Sequence, residues 1–456
     1  MRIPSLSSGL AGAWFTNTTI LAIVFTTSLV LFTALNSANL VRAALGATGL
    51  LLLLLYPELA LAVYLVIGDL KGNERIAALF PFDLTLAASV VLIAGILLRL
   101  IRRKPAVSMP PVYFLFVALA TIMAITLVYT PVFSAGLEKL VLFLTVTALA
   151  IVAPFFVLVE TRTTKRFLWC FGGAGYAICL MSLAGLGGAG RLVTPSDNTI
   201  GLGRLACVTA TMIWFAGIIK APWRRKLVAY AALSVPLIAM IGSGSRGSAV
   251  AFTLAIAISV FIYKRSIIDV VGLGLFGLAV VPFLKIPESS FEYLSSLTGA
   301  QSFGGLLDFR ADLLEYGWRL VREHPLIGAG IGGFRYSSPN PGMYKWPHDI
   351  FLELGCELGI PAALIGGAIF AGAVRESLRQ LRDPTSPFFR LSTIGAALLC
   401  IGMVAAVTTG NINSDRSIWF FVSLVFVIGA QRRAGRGLTY PLDRRIASEP
   451  LGEAHV

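Results

Sequence analysis

Charge is scarce in this sequence. Only 13% of its 456 residues are Asp, Glu, Lys or Arg, while 57% are hydrophobic; a soluble domain carries about a quarter charged residues. No domain-sized stretch holds enough charge to coat a water-facing surface, which excludes a soluble enzyme and a disordered chain. Acid is scarcer than base, 23 residues against 37, for a net charge of +14. Histidine occurs three times, at His324, His348 and His455. The five cysteines, Cys170, Cys179, Cys207, Cys356 and Cys400, lie in or beside apolar runs with no CxxC pair. Neither a disulfide framework nor a zinc site is indicated. The short alternation of a β-barrel is missing too.

What is present is a series of long apolar runs. A bilayer crossing needs about 20 mostly apolar residues. Such runs lie at Thr18–Leu35, Phe82–Leu100, Val112–Tyr129, Leu137–Val159, Phe167–Leu186, Ile200–Ile219, Leu227–Ile241, Ser248–Tyr263, Ile267–Leu284, His348–Val374, Leu391–Thr409 and Ser417–Gly429. A further run, Leu40–Gly68, is broken by Tyr56-Pro57-Glu58 and reads as one kinked span or two short ones. The expected fold is an all-α, polytopic transmembrane bundle of about 12–14 spans. The chain divides into a transmembrane region over 1–285, a large loop over 286–347, further spans over 348–430 and a polar tail over 431–456.

Orientation follows from the basic loops. Arg99 to Lys104, Arg162 to Arg166, Lys220 to Lys226, Lys264-Arg265, Arg375 to Arg390 and the tail hold most of the Lys and Arg. They alternate with short or charge-balanced loops, so the basic set is cytoplasmic. These positive charges are spread over separate short segments, so no nucleic-acid partner is implied. The opposite face carries the loops near Lys71 to Pro81, Pro131 to Ala135, Gly187 to Thr199, Gly242 to Gly247 and Gly410 to Asp415, with the large loop. Only Arg2 precedes the first run, which reads as a retained span rather than a cleavable signal.

Polar groups on that second face are the place to look for function. Arg246 sits in Ile241-Gly-Ser-Gly-Ser-Arg-Gly-Ser248, a turn whose glycines and serines leave N–H groups for an anion such as phosphate. The alternative is an arginine snorkelling to the head groups. In the large loop, Arg310, Leu313, Leu314, Gly317, Trp318 and Val321 share a helical face, which makes Arg310 the one charge on it. A structural pair with Asp308, Asp312 or Glu315 is the alternative there. Pro325-Leu-Ile-Gly-Ala-Gly-Ile-Gly-Gly-Phe334 follows a helix rather than a strand, so it is read as a tight loop over the site and not as a nucleotide fingerprint. His348 opens an apolar helix, where the positive helix end favours a neutral imidazole able to act as a base. Asp349, Glu353 and Glu357 recur behind it as helix-end charge; a metal set is the weaker reading. Arg191, with Asp197-Asn198, is a further candidate for the anion site.

Together these segments resemble the O-antigen ligase and O-antigen polymerase superfamily of bacterial envelope glycosyltransferases. The resemblance rests on Arg191-Leu192 with Asp197-Asn198; Ser245-Arg246-Gly247; Arg310 with Trp318, Pro325, Gly328, Gly330 and Phe334; and His348 with Leu352, Glu357 and Gly359. Asp349 departs from it, since an amide residue usually follows the histidine. The resemblance implies a multi-pass protein of the inner (cytoplasmic) membrane, similar to the GT-C class, with its active site on the periplasmic face. It implies an undecaprenyl-diphosphate-linked glycan as donor, and lipid A-core (ligases) or a growing glycan (polymerases, exopolysaccharide enzymes) as acceptor, among membrane lipids. Neither a metal nor another cofactor is implied.

The residues agree with that chemistry. Charge builds on diphosphate oxygens as the lipid leaves, and Arg191, Arg246 and Arg310 would bind it. The acceptor hydroxyl needs a base, and His348 would supply it. Attack at the anomeric carbon would invert configuration. A lipid-linked sugar flippase or transporter is the competing class.

Overall fold

The computed structural model describes residues 38–71, 83–102, 108–185, 192–196, 198–264, 266–280, 303–337, 346–413 and 415–438. All regular elements among them are helical. Two compact units are distinguished, Met1–Tyr56 and Pro57–Val456. The first contributes α1 (Ala38–Leu55). The second opens with α2 (Pro57–Val66), so the break at Tyr56-Pro57 is a true helix boundary. Proline lacks an N–H and is tolerated in the first turn of a helix, where that donor has no partner.

The second unit continues with α3 (Leu84–Ile101), α4 (Tyr113–Thr126), α5 (Phe133–Val157), α6 (Thr161–Leu183), α7 (Thr199–Ile218), α8 (Trp223–Ser243), α9 (Arg246–Ile262) and α10 (Ser266–Val280). The large-loop region holds α11 (Phe303–Glu323) and the single turn α12 (Gly333–Ser337). Then come α13 (Ile350–Leu358), α14 (Ile360–Leu381), α15 (Phe389–Thr408) and α16 (Arg416–Leu438). Eight helices among the described residues are long and apolar enough to cross a membrane. The chain is a multi-pass helical membrane protein. The expected spans at Val112–Tyr129 and Ser248–Tyr263 form helices of 14 and 17 residues, and Thr18–Leu35 lies outside the described residues.

The core lies around α16, which packs against α14, α15 and the second half of α5. Ile418, Trp419, Phe420, Phe421, Val422 and Leu424 are all fully buried. A helix that is apolar on every side is the one that sits inside. Rings fill the gaps around it. Phe167 lies 4.8 Å from Phe420, Phe116 lies 5.6 Å from Trp419, and Phe370 lies 5.6 Å from Trp419.

Two expectations are corrected. His348–Val374 is not one helix. Its first part, α13, ends at Gly359, whose φ of 89° breaks the ladder, and α14 restarts with Pro361 in its first turn. The buried stripe of α11 is Leu313, Tyr316, Leu320 and Val321, packed with Phe334, Leu352 and Cys356. Leu314 and Trp318 instead face outward, 41% and 54% exposed. Tyr316 takes the inner place because its ring has an apolar body that stacks edge-on against Phe334 at 5.2 Å.

Gly359 gives a direct test. A Cβ there would lie 2.3 Å from the Leu326 carbonyl oxygen, and its φ suits glycine. Gly359→Ala should lower stability by roughly 1–3 kcal/mol from backbone strain alone, read as a lower unfolding midpoint in detergent. An unchanged midpoint would contradict the described backbone.

Candidate functional site

The described parts of the loops that the sequence assigns to the second face meet at one end of the second unit. Ser196 donates its N–H to Asp69 at 3.2 Å, and Leu192 donates to Gly242 at 2.9 Å. Thr130 donates to the Ile331 carbonyl at 2.6 Å, and Asn413 to the Lys139 carbonyl at 2.7 Å. At the other end, Gln431 on α16 donates to Thr164 on α6 at 2.8 Å, and Arg432 reaches Asp383 at 2.8 Å. Each set of loops therefore forms a cluster of its own.

A cavity of about 1160 Å³ opens among the first cluster. One part is polar, with Asp69, Arg204, Trp346, Glu353, Asp415 and Arg416. Another is apolar, with Leu86, Val90 and Ile93 on α3 facing Leu142, Leu149 and Val152 on α5. Leu86 and Val90 are more than half exposed, as lipid-facing residues are. The α5 wall carries a π turn at Phe143–Thr147, a local widening often found beside functional sites.

Lys139 holds one side of the cavity together. Glu353 and Glu357 are four residues apart on α13, hence on one face, and both meet the Lys139 ammonium at 2.5 Å. The carboxylates are 1% and 0% exposed. The Gly332 N–H donates to Glu357 and the Ile412 N–H to Glu353, each at 2.9 Å. Three glycines shape the loop that delivers Gly332. Gly328, Gly330 and Gly332 have φ of 69°, 87° and 75°. A Cβ on Gly328 would strike the Glu357 carbonyl at 2.3 Å. The loop thus folds back onto α13.

Asp349 is the N-cap of α13 rather than a member of it. Its carboxylate accepts the N–H of Phe351 at 2.8 Å and of Leu352 at 3.0 Å. Burial raises the Asp349 carboxyl above its usual range, against these two donors. An amide oxygen caps a helix as well as a carboxylate does, which accounts for the acid at this position. Glu353 and Glu357 grip an ammonium, so the three acids do not assemble a metal set.

Across the cavity, Arg204 on α7 pairs with Asp415 and donates to Thr409 at 3.2 Å. Arg416 donates to the Tyr64 carbonyl at 2.9 Å and lies over the Tyr64 ring at 4.9 Å. Asp69 lines the same part of the cavity as these two guanidiniums. Close approach needs glycine twice: a Cβ on Gly201 would lie 2.6 Å from Asp69, and one on Gly68 2.7 Å from Arg416.

Of the residues singled out in the sequence, Arg246 is the first residue of α9, directly after the left-handed Gly244 and the extended Ser245. It is half-buried. Its turn touches α7, where a Cβ on Gly203 would meet Ser245 at 2.4 Å. Arg204 borders both the large cavity and a small recess against Ser245, Gly247 and Thr408. Arg191 and Asp197 lie outside the described residues; Leu192 donates its N–H to the Gly242 carbonyl, four residues before Arg246. Arg310 lies on α11, one turn before Leu313; its side chain is outside the described residues. His348 is half-buried, has φ 61°, and stands one residue before the cap of α13. Its ring lies 6.0 Å from that of Trp346, which lines the cavity.

Lys139, Arg204, Arg416, Asp69, Asp415 and the pairing role of Glu353 were not singled out in the sequence. The signal was there: Arg204 and Lys139 are charges inside apolar runs, and such residues mark functional sites by default.

Residues 231–366 match the O-antigen ligase family. The matched segment runs from α8 into α14 and contains Arg246, Arg310 and His348. No curated protein matches the chain.

The Lys139 triad is testable in isolation. Lys139→Met would leave two buried carboxylates without their cation, which costs about 3–5 kcal/mol. Denaturant unfolding in micelles should show that loss. A change below about 1 kcal/mol would mean that the carboxylates are already neutral.

Proposed function

We propose that this multi-pass helical membrane protein, whose residues 231–366 fall in the O-antigen ligase/polymerase superfamily, transfers a glycan from an undecaprenyl-diphosphate carrier to a sugar hydroxyl on the periplasmic face of the inner membrane. Lipid A-core is the preferred acceptor. The supporting observation is the two-part cavity: a polar end for a glycan joins an apolar trough that fits a lipid chain.

In this reading His348 takes the proton of the acceptor hydroxyl as that oxygen attacks the anomeric carbon. The bond to the diphosphate oxygen breaks, and the lipid diphosphate leaves with the electron pair. Configuration inverts, because attack and departure use opposite faces. Arg246, Arg310 and Arg191 bind the leaving diphosphate and stabilise its growing charge. No metal takes part. The left-handed backbone at His348 supports the assignment, since a non-glycine residue held there costs stability and such strain clusters at functional sites.

His348→Ala should reduce transfer by about 10²–10⁴-fold with normal membrane levels, measured with purified protein and a lipid-linked glycan. A variant keeping more than about a tenth of wild-type transfer would remove the base assignment.

Arg246→Lys and Arg310→Lys should each lose about tenfold to hundredfold in rate or donor affinity, since lysine keeps the charge but not the paired hydrogen bonds. EDTA should leave wild-type transfer unchanged. Near-normal lysine variants would point to snorkelling arginines instead. In a deletion strain, lipid-linked polymer should persist while lipid A-linked polymer disappears; single repeats alone would make the protein a polymerase.

A further inference from the structure

We infer that Arg335 binds the lipid-side phosphate of the donor, the one esterified to the undecaprenyl chain, where the polar end of the large cavity meets its apolar trough. This rests on the glycosyltransferase reading and adds to it a substrate contact beyond Arg191, Arg246 and Arg310.

The state of the cavity's cations is the first observation. Among the described residues, five cations line it. Four are engaged within the protein. Lys71 pairs with Asp83, Lys139 with Glu353 and Arg204 with Asp415. Arg416 donates to the Tyr64 carbonyl and lies over its ring. Arg335 is the fifth. Among the described residues no carboxylate pairs with it, and its Nε is buried without an acceptor. Its guanidinium lies 5.5 Å from the Tyr336 ring. Glu138 lines the same cavity, but it is exposed and forms no ion pair with Arg335. A guanidinium stays charged at any working pH, and holding one half-buried without an acceptor is costly. An anion entering the cavity supplies what the protein does not, and phosphate oxygens match the planar fork of an arginine.

The second observation is where its loop is docked. Gly332, three residues before Arg335, donates to Glu357, which with Glu353 holds Lys139 on α5. A Cβ on Gly136 would lie 2.9 Å from the Ile331 carbonyl oxygen, so the loop and the start of α5 touch backbone to backbone. Leu142, where the trough begins on α5, follows Lys139 by three residues and so shares its face. Arg335 therefore enters the cavity beside the head of the trough. A lipid chain lying in the trough brings its first phosphate to that level.

The third observation places the chemistry. Trp346 lines the same cavity, and its ring lies edge-on to His348 with centroids 6.0 Å apart. The proposed base is thus a neighbour of the space that Arg335 borders. Transfer needs both near one anomeric carbon, the base for the attacking hydroxyl and a cation for the departing diphosphate.

The test uses the full-length protein in micelles, with undecaprenyl phosphate as the probe because it carries the lipid-side phosphate alone. Arg335→Gln should weaken its binding about tenfold or more. Arg335→Lys should recover only part of that loss, since an ammonium lacks the fork. In steady-state transfer both variants should raise the donor KM and leave the acceptor KM within about twofold. Phosphatidylglycerol at the same mole fraction should displace little of the probe. Unfolding midpoints identify a misfolded glutamine variant, and the lysine variant, with severalfold weaker binding, then decides. Three results would each overturn the assignment: unchanged binding in the folded variants, phosphatidylglycerol displacing the probe as well as undecaprenyl phosphate does, or a raised acceptor KM in place of a raised donor KM. Binding as expected with no transfer by the wild type would instead overturn the glycosyltransferase reading and leave the phosphate site standing.

Discussion

One buried ammonium ties the loop region to the membrane helices. Lys139 rises from the first turns of α5 and is held by two carboxylates one helical turn apart on α13. An ammonium in such a place is stable only with partners, and acids buried this deeply are stable only with a cation. The two requirements meet in one contact. That contact fixes α13, hence the cap at Asp349 and the histidine before it. It also fixes the glycine loop, whose Gly332 N–H completes the Glu357 shell. Through Ile412, which donates to Glu353, the same cluster holds the loop that leads to Asp415 and Arg416. The elements around the cavity thus share one electrostatic anchor.

Scarcity of charge makes this economical. A chain with so few acids places several of them at one end of one unit, where they orient cations rather than coat a surface. Two regions of different character result. The cavity is lined by carboxylates and cations in equal number among the described residues. The turn carrying Arg246 is rich in glycine and serine and begins a helix, which suits an anion. Arg204 borders both regions, so it links them through one side chain.

Helical membrane architecture was legible because hydropathy runs need no tertiary information: bilayer thickness dictates their length. The alternation of basic and neutral loops was equally legible, and the two loop clusters keep to it. Helix breaks were harder. His348–Val374 reads as a continuous apolar run, and only the positive φ of Gly359 divides it. The stripe on α11 slipped because Leu314 and Trp318 look like core residues, whereas Tyr316 is the one that finds a ring to pack on. Arg246 and His348 stood out because each is polar and flanked by turn-forming residues. Lys139 and Arg204 did not, because a single charge within an apolar run shows its meaning only when its partner, distant in sequence, is brought to it.

The histidine illustrates how local rules combine into a functional setting. Pro347 fixes the approach of the chain, and His348 takes the left-handed conformation. Asp349 then caps α13 by accepting the N–H groups of Phe351 and Leu352. The imidazole ring stands edge-on to Trp346 at 6.0 Å, one residue before the helix cap. The cap at Asp349 uses only an oxygen acceptor, which a carboxylate and an amide supply equally.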